Sequence, residues 1–381
     1  MTPEHFFIVG AGFFGAVLAE RIARELQSPV TIFEQRAHFG GNSYSALDPE
    51  TGIECHRFGS HIFHTSIPKV WHYITKFTEF TGYRHLVLTK HKGQVFSLPI
   101  NLATINQLYQ KNFTPKEAED FLTQEIAKDK IANPKNLEEK AISLIGRTLY
   151  TAFIQNYTKK QWACDPKELP AEIITRLPVR TSYNNNYFAD TWQGLPKDGY
   201  FTLFKNLLAH PNITIKYNCS YASIKAELPK SCKIIYTGIP DALFDYKFGR
   251  LPWRSLNFEW ETLPIQDYQG IATMNYADAD VPYTRIHEFK HYHPERQITF
   301  NRKQTVICRE YPKTYTPHDE PYYPINNAAN NQLYALYAAE AKKDPRLILG
   351  GRLGLYKYLD MDKTIAAALE TFEDLKASLN L

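Results

Sequence analysis

The chain has 381 residues, 44% of them hydrophobic and 22% charged, an ordinary globular composition with material for two or three domains. Its 44 Lys and Arg against 40 Asp and Glu leave a formal charge of +4, which gives no field for nucleic acid or an acidic membrane surface. The five cysteines, Cys55, Cys164, Cys219, Cys232 and Cys308, are scattered without a CxxC pair, which argues against a disulfide framework or structural zinc and points to a reducing, cytoplasmic setting.

The first expected element is a short apolar strand, Phe6–Val9, followed at once by Gly10-Ala11-Gly12-Phe13-Phe14-Gly15. Over residues 16–27, Leu18, Ala19, Ile22, Ala23 and Leu26 recur at helical spacing, with Glu20, Arg21, Arg24 and Glu25 opposite. Pro29 ends that helix, and Val30–Phe33 makes a second strand closing on Glu34, so the segment reads as one βαβ unit. The uncharged run over residues 6–19 is too short for a membrane span and lacks the basic residues that lead a signal peptide.

Residues 102–147 read as helical, with Thr114-Pro115-Lys116-Glu117 as a start signal and a break at Asn133-Pro134. From about 169 to 326 the chain is rich in Tyr, Phe, Trp, Thr and Pro, and residues 270–276 and 304–309 read as strands. Lys233–Tyr236 before Thr237-Gly238 has the look of a Rossmann-type strand and turn, and Leu347–Leu349 reads as a strand broken by Gly350-Gly351. A final helix with Ile365, Ala368, Leu369, Phe372 and Leu375 on one face closes the chain. The expected fold class is α/β: a discontinuous Rossmann-like dinucleotide domain (1–82, 199–245, 340–381), a helical insertion (103–170) and an antiparallel β-sheet domain (83–102, 171–198, 246–339).

A GxGxxG alone is weak, but here a strand precedes it, a helix follows, and Glu34 stands about twenty residues past Gly15. Gly10 permits the turn, Gly12 lets backbone N–H groups approach a pyrophosphate, and Gly15 lets helix and strand pack closely. The helix N-terminus then faces the phosphates, and Glu34 is suited to accept ribose hydroxyls. The continuation Glu34-Gln35-Arg36-Ala37-His38-Phe39-Gly40-Gly41-Asn42 resembles the FAD-binding families related to glutathione reductase and the amine oxidases, which implies FAD in place of NAD. Phe14, Arg36, Gly41 and Asn42 join the expected cofactor contacts. No second GxGxxG follows, which argues against a separate nicotinamide unit.

Further stretches carry a more specific resemblance: Gly59-Ser60-His61-Ile62-Phe63-His64-Thr65, Tyr157-Thr158-Lys159-Lys160-Gln161-Trp162, and Arg176-Leu177-Pro178-Val179-Arg180. Asn185-Asn186-Tyr187-Phe188, Val281-Pro282-Tyr283-Thr284-Arg285, Glu320-Pro321-Tyr322-Tyr323-Pro324, Gly350-Gly351-Arg352-Leu353 and Tyr356-Lys357-Tyr358-Leu359-Asp360 extend it. In this order they resemble the bacterial-type UDP-galactopyranose mutases over nearly the whole chain. The resemblance implies a homodimeric flavoenzyme that converts UDP-galactopyranose to UDP-galactofuranose, a surface-polysaccharide precursor, without net redox change. Reduced FAD would be the active form, its N5 the nucleophile at the anomeric carbon, with UDP leaving and the ring reclosing through O4.

Carried over by position, Arg176 and Arg285 would hold the diphosphate and stabilise departing UDP, with His61 near the flavin as the third catalytic group. Phe153, Tyr157, Trp162 and His85 are implied around the nucleotide, and Tyr187, Tyr323 and Tyr358 as hydroxyl donors to its phosphates. Arg352 and Asp360 are implied at the flavin, with Asp360 as a cap of the last helix. No metal is expected: His61, His64, His287, His291 and His293 lack a completing Cys or carboxylate pattern. Three departures stand out: Ala163 where the family has Gly, Ser60 where Pro is common, and His85 where Asn is expected. Alternatives are the same chemistry on dTDP-fucopyranose or UDP-N-acetylgalactosamine, although His61 fits plain galactose, and, from another class, an FAD-dependent oxidase.

Overall fold

A computed structural model describes residues 5–176, 179–229 and 231–379. Two sheets organise the chain. The first is wholly parallel, in the order Leu347–Leu349, Lys233–Tyr236, Phe6–Val9, Val30–Phe33, Ile213–Lys216. Its central strands Phe6–Val9 and Val30–Phe33 are fully buried runs, as in a parallel sheet covered on both faces, while the edge strands Ile213–Lys216 and Leu347–Leu349 are part-exposed. The helix Phe13–Glu25 packs between this sheet and the C-terminal helix Met361–Ser378, whose Ile365, Ala368, Leu369, Phe372 and Leu375 are buried as their spacing predicts.

The second sheet has seven strands, in the order Tyr323–Pro324, Trp253–Leu263, Thr305–Thr314, Arg285–Glu288, Thr273–Tyr276, Val87–His91, Gln94–Leu98. It is antiparallel but for one pair: Thr273–Tyr276 runs parallel to Val87–His91. That exception arises because the two strands are far apart in sequence, so no hairpin dictates their direction. A separate pair, Phe63–Thr65 with Trp192–Gly194, lies outside both sheets.

Beside the edge strand Gln94–Leu98, helices Leu102–Tyr109, Pro115–Ala127 and Leu137–Leu149 pack around Ile105, Leu122, Ile142, Ile145 and Leu149. The Thr114–Glu117 capping box forms as read, with the Glu117 carboxylate accepting from Thr114 N–H at 2.8 Å. A π-helical turn, Tyr150–Gln155, then leads into the helix Asn156–Trp162.

Two local expectations change. The first helix begins at Phe13, three residues before its apolar period starts, because the glycine turn itself is its first turn with Gly12 as N-cap. Glu20 is not on a solvated face but 1% exposed, its carboxylate accepting from the Tyr73 hydroxyl, Arg21 and Arg24. The short helix Pro68–Ile74, which brings Tyr73, covers that side. Among the described residues no helix is long and apolar enough to cross a membrane.

Candidate active site

The glycine turn sits at the carboxyl edge of the parallel sheet, where α/β folds place ligands. Gly10 has φ +101°, and a Cβ there would lie 2.1 Å from Thr237 Oγ1. A Cβ on Gly15 would lie 2.1 Å from the Gly10 carbonyl oxygen and 3.0 Å from Ile8, so helix and strand touch as expected. Gly12 and Gly41 face each other: a Cβ on Gly41 would come within 3.1 Å of the Gly12 Cα. Both backbones therefore line an open cradle at the helix N-terminus, with no side chain between them and an incoming phosphate. Thr237 Oγ1 closes the turn from the next strand by donating to the Val9 carbonyl at 2.7 Å, a contact that sequence reading did not single out.

Glu34 is 5% exposed and already bound on both oxygens: Oε2 accepts from Ala11 N–H at 2.8 Å, Oε1 from Arg36 N–H at 2.9 Å. Carboxylate oxygens carry spare lone pairs, so ribose hydroxyls fit beside these bonds. The Arg36 guanidinium donates to Asn42 Oδ1 and Glu320 Oε2 and lies 4.2 Å from the centre of the Phe58 ring. Phe14 is buried beneath Gly350, where a Cβ would lie 2.0 Å from its ring. This cradle has the shape and donor chemistry of a dinucleotide site, and FAD fits it.

One cleft of about 1340 Å³ runs from that cradle across the seven-stranded sheet. Gly10, Gly12, Phe14, Gly15, Glu34, Arg36, Gly41, Asn42, Arg352 and Asp360 line one end. His61, His85, Tyr157, Trp162, Tyr187, Arg285, Tyr323 and Tyr358 line the remainder. Phe153 is buried in the helical core and lines an adjoining cavity of about 120 Å³, which it shares with Tyr157, Tyr187 and Arg285. The side chain of Arg176 lies outside the described residues.

Asp360 occupies the N-cap position of the helix Met361–Ser378, but its side chain makes no capping hydrogen bond, contrary to expectation. Its backbone carbonyl instead takes the Thr364 N–H, and the residue borders the cleft.

Arg285 is the electrostatic centre. Its Nη2 donates to the Tyr157 hydroxyl, and its Nε lies 3.8 Å from Glu310 Oε1 on the neighbouring strand. Glu310 is 2% exposed, and its other oxygen meets His287 Nε2 at 3.2 Å. Burial pushes the Glu310 carboxyl up, but Arg285 and His287 outweigh it and hold it below its ordinary range. Burial likewise opposes the charge on Arg285, and Glu310 with the surrounding tyrosines reverses this and raises its pKa. The guanidinium, whose side chain keeps 27% exposure to the cleft, is thus a permanent cation in its wall. Asn275, paired with Arg285 in register, is 8% exposed and leaves its Oδ1 unpartnered beside the same cavities. Glu310 and Asn275 were missed because cross-strand register brings them to Arg285, and no local sequence signal reports it.

His61 and His85 are neutral. Burial pulls His61 down to about 4, and its Nδ1 lies 2.8 Å from the Gly59 carbonyl. A carbonyl can only accept, so Nδ1 carries the proton and Nε2 keeps its lone pair. His85 is pulled down to about 3 by burial; its Nδ1 meets the Tyr83 hydroxyl at 3.2 Å, and its ring packs edge-on to Tyr187. His64 pairs with Asp190 and stacks on Phe188, a packing role. Among the described residues one group, Asp267, Glu288 and His291, brings three metal-ligating types together, away from the cleft. There His291 is an ion-pair partner of both acids, while Glu288 already accepts from Tyr268 N–H, Gln269 N–H and the Thr305 hydroxyl.

Ala163 ends the helix Asn156–Trp162 in the left-handed region, φ 53°, where a side chain costs about 1 kcal/mol. Ala163→Gly should therefore leave stability unchanged or raise it by up to about 1 kcal/mol. A lowered thermal midpoint would contradict this.

Comparison with known proteins matches this arrangement. A protein-family model described as UDP-galactopyranose mutase matches residues 152–358, and one for an NAD(P)-binding Rossmann-like domain matches residues 8–77. A probable UDP-galactopyranose mutase of Klebsiella pneumoniae is 41% identical over 379 residues, 100% of this chain and 96% of that protein. A dTDP-fucopyranose mutase of Escherichia coli is 40% identical over 367 residues, 95% of this chain and 96% of that protein. The crystal structure of a reduced UDP-galactopyranose mutase superposes with a TM-score of 0.75 at 14% identity, covering 99% of this chain and 94% of that one, a likeness of fold. On this evidence the chain belongs to the UDP-galactopyranose mutase family and is an isomerase of that type, with FAD as its cofactor.

Proposed function

We propose that the chain interconverts UDP-galactopyranose and UDP-galactofuranose in this cleft. The observation that carries the reading is the continuity of one cavity from the Gly12–Gly41 cradle to the Arg285–Tyr157 pair. Gly10, Gly12, Gly15, Glu34, Arg36, Gly41, Asn42, Arg352 and Asp360 would hold FAD. When bound and reduced, FAD supplies a nucleophilic N5 for the anomeric carbon.

The remaining work falls to the chain. Arg285, and Arg176 with it, binds the diphosphate in charge-assisted forks and stabilises the charge that develops on departing UDP. Tyr157 and Phe153 border the small cavity beside Arg285, which suits the flat uracil. Tyr187, Tyr323 and Tyr358 give hydroxyls to the phosphates. Burial raises Tyr187 to about 12, so it stays a donor at neutral pH. The Tyr323 and Tyr358 rings stack at 5.8 Å and Trp162 leans on Tyr323, so these side chains form one wall. His61 offers a neutral Nε2 to a sugar hydroxyl. The enzyme would work in the cytoplasm as a homodimer.

Incubation of UDP-galactose with dithionite-reduced enzyme should yield the furanose without consumption of reductant. A second reading, dTDP-fucopyranose as substrate, has the support of the Escherichia coli relative, so both nucleotides belong in the assay. No furanose from either, or oxygen-dependent turnover with peroxide, would overturn the mutase reading.

A further inference from the structure

The helix Asn156–Trp162 holds a second cation besides the one it meets in Arg285. Lys160, one turn on from Tyr157, points its ammonium at four backbone carbonyls: Tyr276 at 2.8 Å, Asp278 at 2.9 Å, Val281 at 2.9 Å and Tyr283 at 3.1 Å. All four come from the end of the strand Thr273–Tyr276 and the connection to Arg285–Glu288. Four carbonyl dipoles aimed at one point repel each other unless a cation sits between them. Three ammonium N–H groups are then fully used by the backbone. Among the described residues no carboxylate forms an ion pair with Lys160: Asp278, the nearest candidate, is taken by His91 and the Lys92 N–H. A lysine side chain thus does here what a bound metal ion does in other carbonyl cages.

The consequence lies two residues beyond Tyr283. Arg285 leaves the caged connection and donates to Tyr157, so one helix grips the hairpin twice, at its backbone through Lys160 and at its functional head through Tyr157. We propose that Lys160 is a positioning residue for Arg285: its ammonium holds the hairpin backbone in the form that presents the guanidinium to a nucleotide diphosphate. The inference rests on Arg285 being the diphosphate ligand.

The groups facing Lys160 are Asp278 and Asp280 from the hairpin, with His91 beyond Asp278 on the strand Val87–His91. Burial outweighs the two aspartates and pulls the lysine down to about 8. The cage therefore keeps its cation below about pH 8 and loses it above, and UDP affinity should fall through that range.

The test is titration of UDP against the flavin-loaded enzyme. Lys160→Met, which keeps the apolar stem and removes the charge, should weaken UDP by about tenfold or more at pH 7, the loss expected when carbonyls lose a charged donor. Lys160→Ala should behave alike and recover with n-propylammonium, which restores the missing stem and charge. Combined with Arg285→Ala, Lys160→Met should weaken UDP little further, because both act through one guanidinium. Wild-type affinity in Lys160→Met, or losses that multiply in the double variant, would overturn the proposal. If neither variant folds, Lys160→Gln, which keeps N–H donors for the carbonyls but no charge, takes their place, and wild-type UDP affinity in it would overturn the proposal. Wild-type enzyme that binds no UDP at pH 7 would overturn the assignment of the cleft itself, a different failure.

Discussion

Arg285→Ala should lower kcat/KM by about two to three orders of magnitude, the range seen when a preorganised donor to a developing anion is removed from an active site. The size of the effect follows from the surroundings. The guanidinium is hydrogen-bonded to Tyr157 and lies within ion-pair range of Glu310, 3.8 Å away, so it is oriented before charge accumulates on the diphosphate. Truncation also leaves Glu310 as a buried carboxylate with only neutral His287 beside it. Removing one member of a buried pair costs about 3–5 kcal/mol at neutral pH.

That second cost has a pH signature. Glu310 is held below its ordinary range in the folded protein, so its pairing stabilises the fold at neutral pH and stops doing so as pH falls through the lowered pKa. The stability gap between wild type and Arg285→Ala should therefore be largest near pH 7 and shrink below about pH 4, where carboxylates protonate. Arg285→Lys separates the two effects. It keeps a charge for Glu310 and most of the stability but loses the planar fork, so kcat/KM should still drop about a hundredfold. Steady-state kinetics with denaturant unfolding at two pH values checks both. Wild-type kcat/KM in Arg285→Lys would show that the fork is not used.

The second large effect is expected at Gly15. An alanine there would place its Cβ 2.1 Å from the Gly10 carbonyl oxygen, a backbone atom that cannot move without opening the turn. Gly15→Ala should cost about 1–3 kcal/mol or more of stability and give protein without bound flavin, visible as loss of the absorbance near 450 nm. Gly82→Ala is the control, since a Cβ at Gly82 meets nothing within 4 Å. It should retain flavin and melt with the wild type. Full flavin occupancy in Gly15→Ala would mean that the helix can slide away from the strand, and the account of this glycine would be wrong.

What could be read in advance depended on whether the cause was local. Phe6–Val9, Val30–Phe33, Lys233–Tyr236 and Leu347–Leu349 were read with correct bounds because each is a short, mainly apolar run closed by Gly10, Glu34, Thr237-Gly238 or Gly350. The Thr114 capping box was equally legible, since both partners lie within four residues. Glu20 was misread because its polarity and helical position predict a solvated face, while Tyr73 arrives from another helix to bury it. Asp360 was misread for the converse reason: the residue type and position fit a cap, but its side chain makes no capping bond.

The same division runs through the active site. The glycine turn, Glu34 and the Gly40–Gly41 pair form one strand–turn–helix–strand unit, so their spacing alone sufficed to imply a dinucleotide cradle, and resemblance sharpened that to FAD. Glu310, Asn275 and Lys160 are a different matter. Lys160 and Glu310 come to Arg285 or its hairpin from other elements, and Asn275 through the pairing of the hairpin's own strands: Arg285 faces Glu310 on one neighbouring strand and Asn275 on the other. A slip of one residue in either pairing would turn these side chains to the opposite face of the sheet. By itself, then, the sequence determined the cradle, because it is a short-range pattern, while Arg285 was implied only by resemblance to the family. Only the tertiary structure decided what surrounds that arginine, because strand register and the lysine-filled carbonyl cage exist only once distant segments are packed together.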